Sequence, residues 1–141
     1  EYPFKHISPS GITGTPTVSK IIVDKNINKL CESAIKSIDE KPHGSYAVDL
    51  KGDQNNQMNI TEIDSGKFHT TTPLWGYISS KIFKQDSMFN LPYLYVKLGL
   101  GEITEPKILG NDIYPDQTTR IRHIDWGDWI LKKDGSKVKV L

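Results

Sequence analysis

The stretch from Tyr46 to Lys67 constrains this chain more than any other, because two extended-type runs flank a polar turn and carry three acids between them. Tyr46 to Lys51 and Met58 to Ile63 read as strands, and Gly52 to Gln57 between them centres on Asn55-Asn56, a pair that tolerates the left-handed backbone of a tight reversal. Folded about that centre, Asp49 falls opposite Glu62. Side chains two apart on a strand share a face, so Asp64 joins Glu62 and three carboxylates converge. Like charges across a ladder repel, and closely spaced carboxylates resist joint ionisation. A hard divalent cation among Asp49, Glu62 and Asp64 relieves both effects. Mg2+, held by a few carboxylates plus phosphate oxygens, is the expected ion, with Mn2+ as the alternative.

Asp49, then Glu62-Ile-Asp64, then Ser-Gly66-Lys67-Phe68 and a threonine run resembles the C-terminal part of an ATP-grasp ligase, and is most similar to proteins like the carbamoyl-phosphate synthase large chain. The resemblance covers Ser8 to about Gly101, and the acidic ribbon is its specific part. It implies that Asp49, Glu62 and Asp64 hold the Mg2+ ions bridging the phosphates of ATP, with Asp64 where the family usually has Asn. It also implies that Gly66-Lys67-Phe68 stands for the family's Gly-Arg-Phe, which keeps the positive charge but loses the planar fork of arginine. Lys67 is then the candidate catalytic residue and a phosphate contact. The implied fold is α+β: an ATP-grasp C-terminal subdomain, mostly antiparallel sheet with helices on one face and a C-terminal β-hairpin. The implied reaction is ATP-dependent joining of a small carboxylate, through an acyl phosphate, to an amine-type nucleophile.

With 141 residues, 36% hydrophobic and 25% charged, the chain is expected to bury one modest core as a single domain spanning 1–141. The formal net charge of +1 gives no global case for nucleic acid or an anionic membrane, and no basic run is interleaved with aromatics. A single cysteine, Cys31, excludes an internal disulfide and suits a reducing compartment, so the cytoplasm is the expected location. No apolar run has the length of a membrane span. The chain opens Glu-Tyr-Pro-Phe and contains no Gly-x-x-x-x-Gly-Lys loop, so it is expected to be the distal half of a nucleotide site whose lysines, lid and adenine hinge lie in a missing N-terminal half. An apolar surface left by that half would be covered by it or by self-association.

In chain order, Tyr2 to Ile7 reads as strand, and the Pro- and Gly-rich segment from Ser8 to Pro16 as a loop. Its amides and the hydroxyls of Ser10, Thr13 and Thr15 can face a phosphate, as a similarly placed loop does in the resembled ligases. An ordinary strand connection is the equal alternative. Thr17 to Val23 reads as a β-branched strand, and Asn26 to Ile38 as an amphipathic helix with Asn26 as its N-cap and Cys31 packed on its apolar face. His43 is a turn residue, and His69 lies beside threonines in a structural or basic role. A helix from Pro73 capped by Thr72 and another over Leu91 to Leu98 follow. Lys107 to Gln117 is an irregular excursion. The tail is β-rich, with Asp134-Gly135 turning Trp129–Lys132 onto Lys137–Val140, and alternating lysines guarding an edge. Arg120, Arg122 and His123 can contact an anion or lie on an exposed strand, and the exposed strand is the simpler reading. Two alternatives to the ligase stand beside it: a non-catalytic metal-binding module, or a structural or interaction domain whose acids are solvated.

Overall fold

Turn and cap chemistry sets where each element begins. In the computed structural model, residues 17–68, 72–84, 90–104, 114–123 and 127–140 are described, without the side chains of 72–74 and 123. The strands are β1 (Val18–Lys20), β2 (Tyr46–Gly52), β3 (Met58–Ser65), β4 (Thr119–His123), β5 (Gly127–Leu131) and β6 (Lys137–Lys139), and the helices are α1 (Lys25–Ile38), α2 (Thr72–Lys81) and α3 (Leu91–Gly99). All strand pairs are antiparallel, so the class is α+β. The first strand is shorter than the Thr17 to Val23 expected from β-branching. The chain divides into two compact units, Asp24–His69 and the remainder, described separately here.

In the unit Asp24–His69, α1 starts one residue earlier than the apolar period suggests because Asp24, not Asn26, is the N-cap. Its Oδ1 accepts from the amides of Asn26 at 2.8 Å and Ile27 at 3.2 Å. At the other end Asp39 accepts from the Lys41 amide and from the Tyr46 hydroxyl at 2.9 Å, which ties the helix exit to the start of β2. The apolar stripe of α1 is only partly covered: no residue of the helix is buried, and Ile38 is 65% exposed. Cys31 is half-buried on this stripe, where burial pushes its thiol pKa up and makes it a packed, unreactive thiol.

The other unit is built on a sheet of order β1-β4-β5-β6. Its register sets three rows across the strands: Val18, Ile121, Trp129, Lys139; Ser19, Arg120, Ile130, Val138; and Lys20, Thr119, Leu131, Lys137. Directly opposite residues share a face, so the middle row faces away from the other two. The middle row is the core row. Ile130 is fully buried against Trp75 and Ile78 of α2, with Ile21, Ile82, Phe83, Tyr114 and Val140 packed around them. The same face carries a buried ion pair, in which Arg120 Nη2 donates to Oδ2 of Asp128, two residues before Ile130 on β5, at 2.8 Å. Arg120 is therefore no exposed-strand residue, whereas Arg122 is exposed.

Helix α3 starts on Asn90, whose Oδ1 accepts from the Tyr93 amide, and ends in a Schellman motif. Gly101, at φ 69, donates to the Leu98 carbonyl and Glu102 donates to the Lys97 carbonyl, while the Lys97 ammonium pairs with the Glu102 carboxylate. Gly76 in α2 is required by close approach. A Cβ there would lie 2.8 Å from the Asn90 side chain and 3.1 Å from its Cα.

Candidate functional site: the acidic ribbon

The β2–β3 pair places Asp49 directly opposite Glu62. The reversal is fixed by Asp53, whose Oδ1 accepts from the amides of Asn55 and Gln57, each at 2.8 Å, while Asn56 takes φ 61. Such an Asx turn pre-forms the tight end of the ribbon. From that turn the ladder pairs Gly52 with Met58, Lys51 with Asn59 and Leu50 with Ile60, a count that leads to Thr61 opposite Asp49, and one extra residue on β3 brings Glu62 there instead. Ala47 lies opposite Asp64, so Asp64 shares the face of Asp49 and Glu62.

Between Asp49 and Leu50 the register shifts, and Thr61 is the extra residue. Its hydroxyl donates to the Asp49 carbonyl at 3.2 Å. This bulge keeps Ile60 opposite Leu50 and Ile63 opposite Val48, on the face away from the acids. Strict alternation would have put Ile60 beside Glu62 and Asp64. The signal was present in the sequence, since Ile60 and Ile63 are three residues apart and not an even number.

Lys67 returns to this face because Gly66, at φ 69, turns the chain sharply after β3 while its amide donates to the Ser45 carbonyl at 2.8 Å. Lys67 Nζ donates to Asp64 Oδ2 at 2.5 Å. That hydrogen bond, and then the Asp64 charge, raise the Lys67 pKa above the ordinary lysine value. Slight desolvation opposes them, and the charges of Glu62 and Asp49 add to the rise. The ammonium therefore sits in the field of all three carboxylates. Asp49 and Glu62 are exposed, and Asp64 is half-buried.

Directly opposed strand residues have Cβ atoms roughly 4.5–5.5 Å apart, so Asp49 and Glu62 are near enough to share one cation. Among the described residues, no group of three or more His, Cys, Asp and Glu side chains is assembled to hold a metal ion. With Asp64 turned to Lys67, the donor set that fits Mg2+ is the cross-strand pair. That number suits an ion usually held by one or two carboxylates plus substrate phosphates. Ser10, Thr13, Thr15 and His69 lie outside the described residues. Among the described residues, no helix is long and apolar enough to cross a membrane. Comparison with protein-family models, curated proteins and solved structures finds no match to the chain.

Proposed function

We propose that this chain carries the metal-holding part of an ATP- and Mg2+-dependent ligase of the ATP-grasp type, the finer reading of its α+β class being that fold's C-terminal subdomain. The observation that carries the reading is the Asp49–Glu62 rung, which juxtaposes two like charges at exposed positions. In this reading Asp49 and Glu62 hold Mg2+, and Asp64 joins them when Lys67 leaves it. The bound ion supplies neutralisation of charge on phosphoryl oxygens during transfer to a small carboxylate. Lys67, an exposed cation on a mobile stem, reaches from Asp64 to a phosphate oxygen. Ser10 and Thr13 donate hydroxyls to the same phosphates, and a partner half supplies the lysines, lid and adenine hinge.

A structural or interaction domain is the second reading, and the Lys67–Asp64 pair favours it, since that pair compensates the acids internally. Titration with Mn2+ as a paramagnetic probe of Mg2+ sites separates the two. The ligase reading expects binding at about millimolar or weaker, amide broadening centred on residues 49 and 62, and loss of that broadening in both Asp49→Asn and Glu62→Gln. Broadening that survives both substitutions refutes the metal site. ATP added with the metal should tighten binding, and a metal affinity indifferent to ATP refutes the nucleotide part of the reading.

A further inference from the structure

Three polar side chains meet on the core face of the four-stranded sheet, and their hydrogen bonding is incomplete. Arg120 is 5% exposed, Ser19 6% and Asp128 9%. Ser19 lies directly opposite Arg120 across β1 and β4, and Arg120 reaches along the same face to Asp128 on β5. Only one oxygen of that carboxylate, Oδ2, is taken by Arg120 Nη2. Arg120 Nε, Asp128 Oδ1 and Ser19 Oγ are enclosed and find no hydrogen-bond partner among the described residues. Nε–H and Nη2–H project from the same edge of a guanidinium, so full side-on pairing would join Nε to one carboxylate oxygen and Nη2 to the other. Here one of those two bonds forms, which leaves a donor and an acceptor side by side and unjoined.

We infer that an ordered internal water is built into this core, accepting from Arg120 Nε and donating to Asp128 Oδ1. The site belongs to the sheet and stands independently of the ligase reading. Charge decides the class of occupant. The ion pair is already neutral, so an anion would meet the Asp128 carboxylate and a cation the Arg120 guanidinium, and either would bring an uncompensated charge into the interior. A neutral guest that accepts at one end and donates at the other, within the reach of two side chains, is required. Water does both, makes about three bonds in such sites, and occurs inside proteins at roughly one molecule per 27 residues. Ser19 Oγ, able to donate or accept, is the third partner. The water then links β1 to β5 across the β4 strand between them, and so adds a tie to an edge strand that pairs over only three residues. A single enclosed water completes the network without screening the charges as bulk solvent would.

The test is a high-resolution crystal structure of the chain, joined to nuclear magnetic resonance of the Arg120 Nε–H in solution. An isolated oxygen within about 3.2 Å of both Arg120 Nε and Asp128 Oδ1 is expected in the crystal. In solution the Nε–H should show a cross-peak to water with the sign of direct dipolar contact and not of chemical exchange. Ser19→Ala should keep that cross-peak, since Arg120 and Asp128 still hold the water. Its loss in Ser19→Ala would show that the signal was relayed through the Ser19 hydroxyl, which overturns the inference. Asp128→Glu, whose longer stem brings its second oxygen onto Nε, should expel the water and abolish the cross-peak, and a cross-peak that survives in a folded Asp128→Glu overturns it too. So does a direct Nε–Oδ1 hydrogen bond in the parent, or a group of the chain itself seated between the two atoms. The solution measurements decide alone if crystals do not form.

Discussion

The acidic ribbon and the four-stranded sheet are both antiparallel, yet they handle charge in opposite ways. On the ribbon, Asp49 and Glu62 are like charges at an exposed rung, and among the described residues of Asp24–His69 none is buried. In the sheet, Arg120 and Asp128 are opposite charges buried on the core face beside the fully buried Ile130. Exposed charges repel only mildly, while a buried pair destabilises wherever its polar atoms go unmet, and Arg120 Nε and Asp128 Oδ1 are buried without a hydrogen-bond partner among the described residues. Stability and candidate chemistry therefore occupy different stretches of chain, and substitutions should sort the same way.

The largest effect is expected at Asp128→Ala, which leaves the Arg120 guanidinium buried without its partner and should cost about 3–5 kcal/mol by urea denaturation. A loss under about 1 kcal/mol would show that the pair is hydrated and would erase the contrast. Ile130→Ala should cost about 2–5 kcal/mol, and Ile63→Ala on the half-buried face of the ribbon less than half as much in the same assay. Equal losses would mean the ribbon is packed as tightly as the core. Gly76→Ala drives a methyl into Asn90 and should cost about 1–3 kcal/mol while leaving Mn2+ binding unchanged.

A smaller effect is expected at Tyr114, whose buried hydroxyl has no hydrogen-bond partner and whose phenol is pushed by burial up to about 12. Its folded pKa lies above the unfolded value near 10, so its contribution is fully present below pH 10 and lost as pH rises towards 12. Tyr114→Phe should be neutral or slightly stabilising at pH 7, and should flatten the fall in stability between pH 10 and 12 seen in the parent. The smallest effect on stability belongs to Lys67→Met at a 60% exposed side chain. This variant sharpens the comparison through binding. It should bind Mn2+ more tightly by a few fold, because Asp64 is released to the cation, and weaker binding would mean that Lys67 does not compete for the acids.

The Asp49–Glu62 rung was legible because a centre at Asn55-Asn56 counts Asp49 onto Glu62, although the ladder beside the turn centres on Asn55 alone and the bulge at Thr61 makes up the difference. Thr61 was not, because a bulge replaces an even spacing with an odd one, and the odd spacing of Ile60 and Ile63 was its only trace. Asp24 outcompeted Asn26 as the cap because an aspartate two residues earlier reaches both orphan amides. The burial of Arg120 was hidden by the row it sits in, where Ser19 and Arg120 face the core while Ile121 and Trp129 face outward, so the usual alternation of apolar-in and polar-out is inverted across β1 and β4. The partial exposure of α1 reflects tertiary cover, which an apolar period alone does not specify.

Thr61 has a consequence for how this chain tolerates change. As the odd residue in an otherwise two-residue beat, it acts as a phase corrector: everything after it on β3 is counted from a new origin. Substituting it alters one hydroxyl contact, and most polar side chains should serve. Deleting it leaves Ile60 and Ile63 two apart on one face and Glu62 and Asp64 two apart on the other, so the ladder closes without a bulge and every pairing is kept. The segment should therefore tolerate the loss of Thr61 itself, whereas loss of Glu62 in its place would set Thr61 opposite Asp49 and take one acid from the rung.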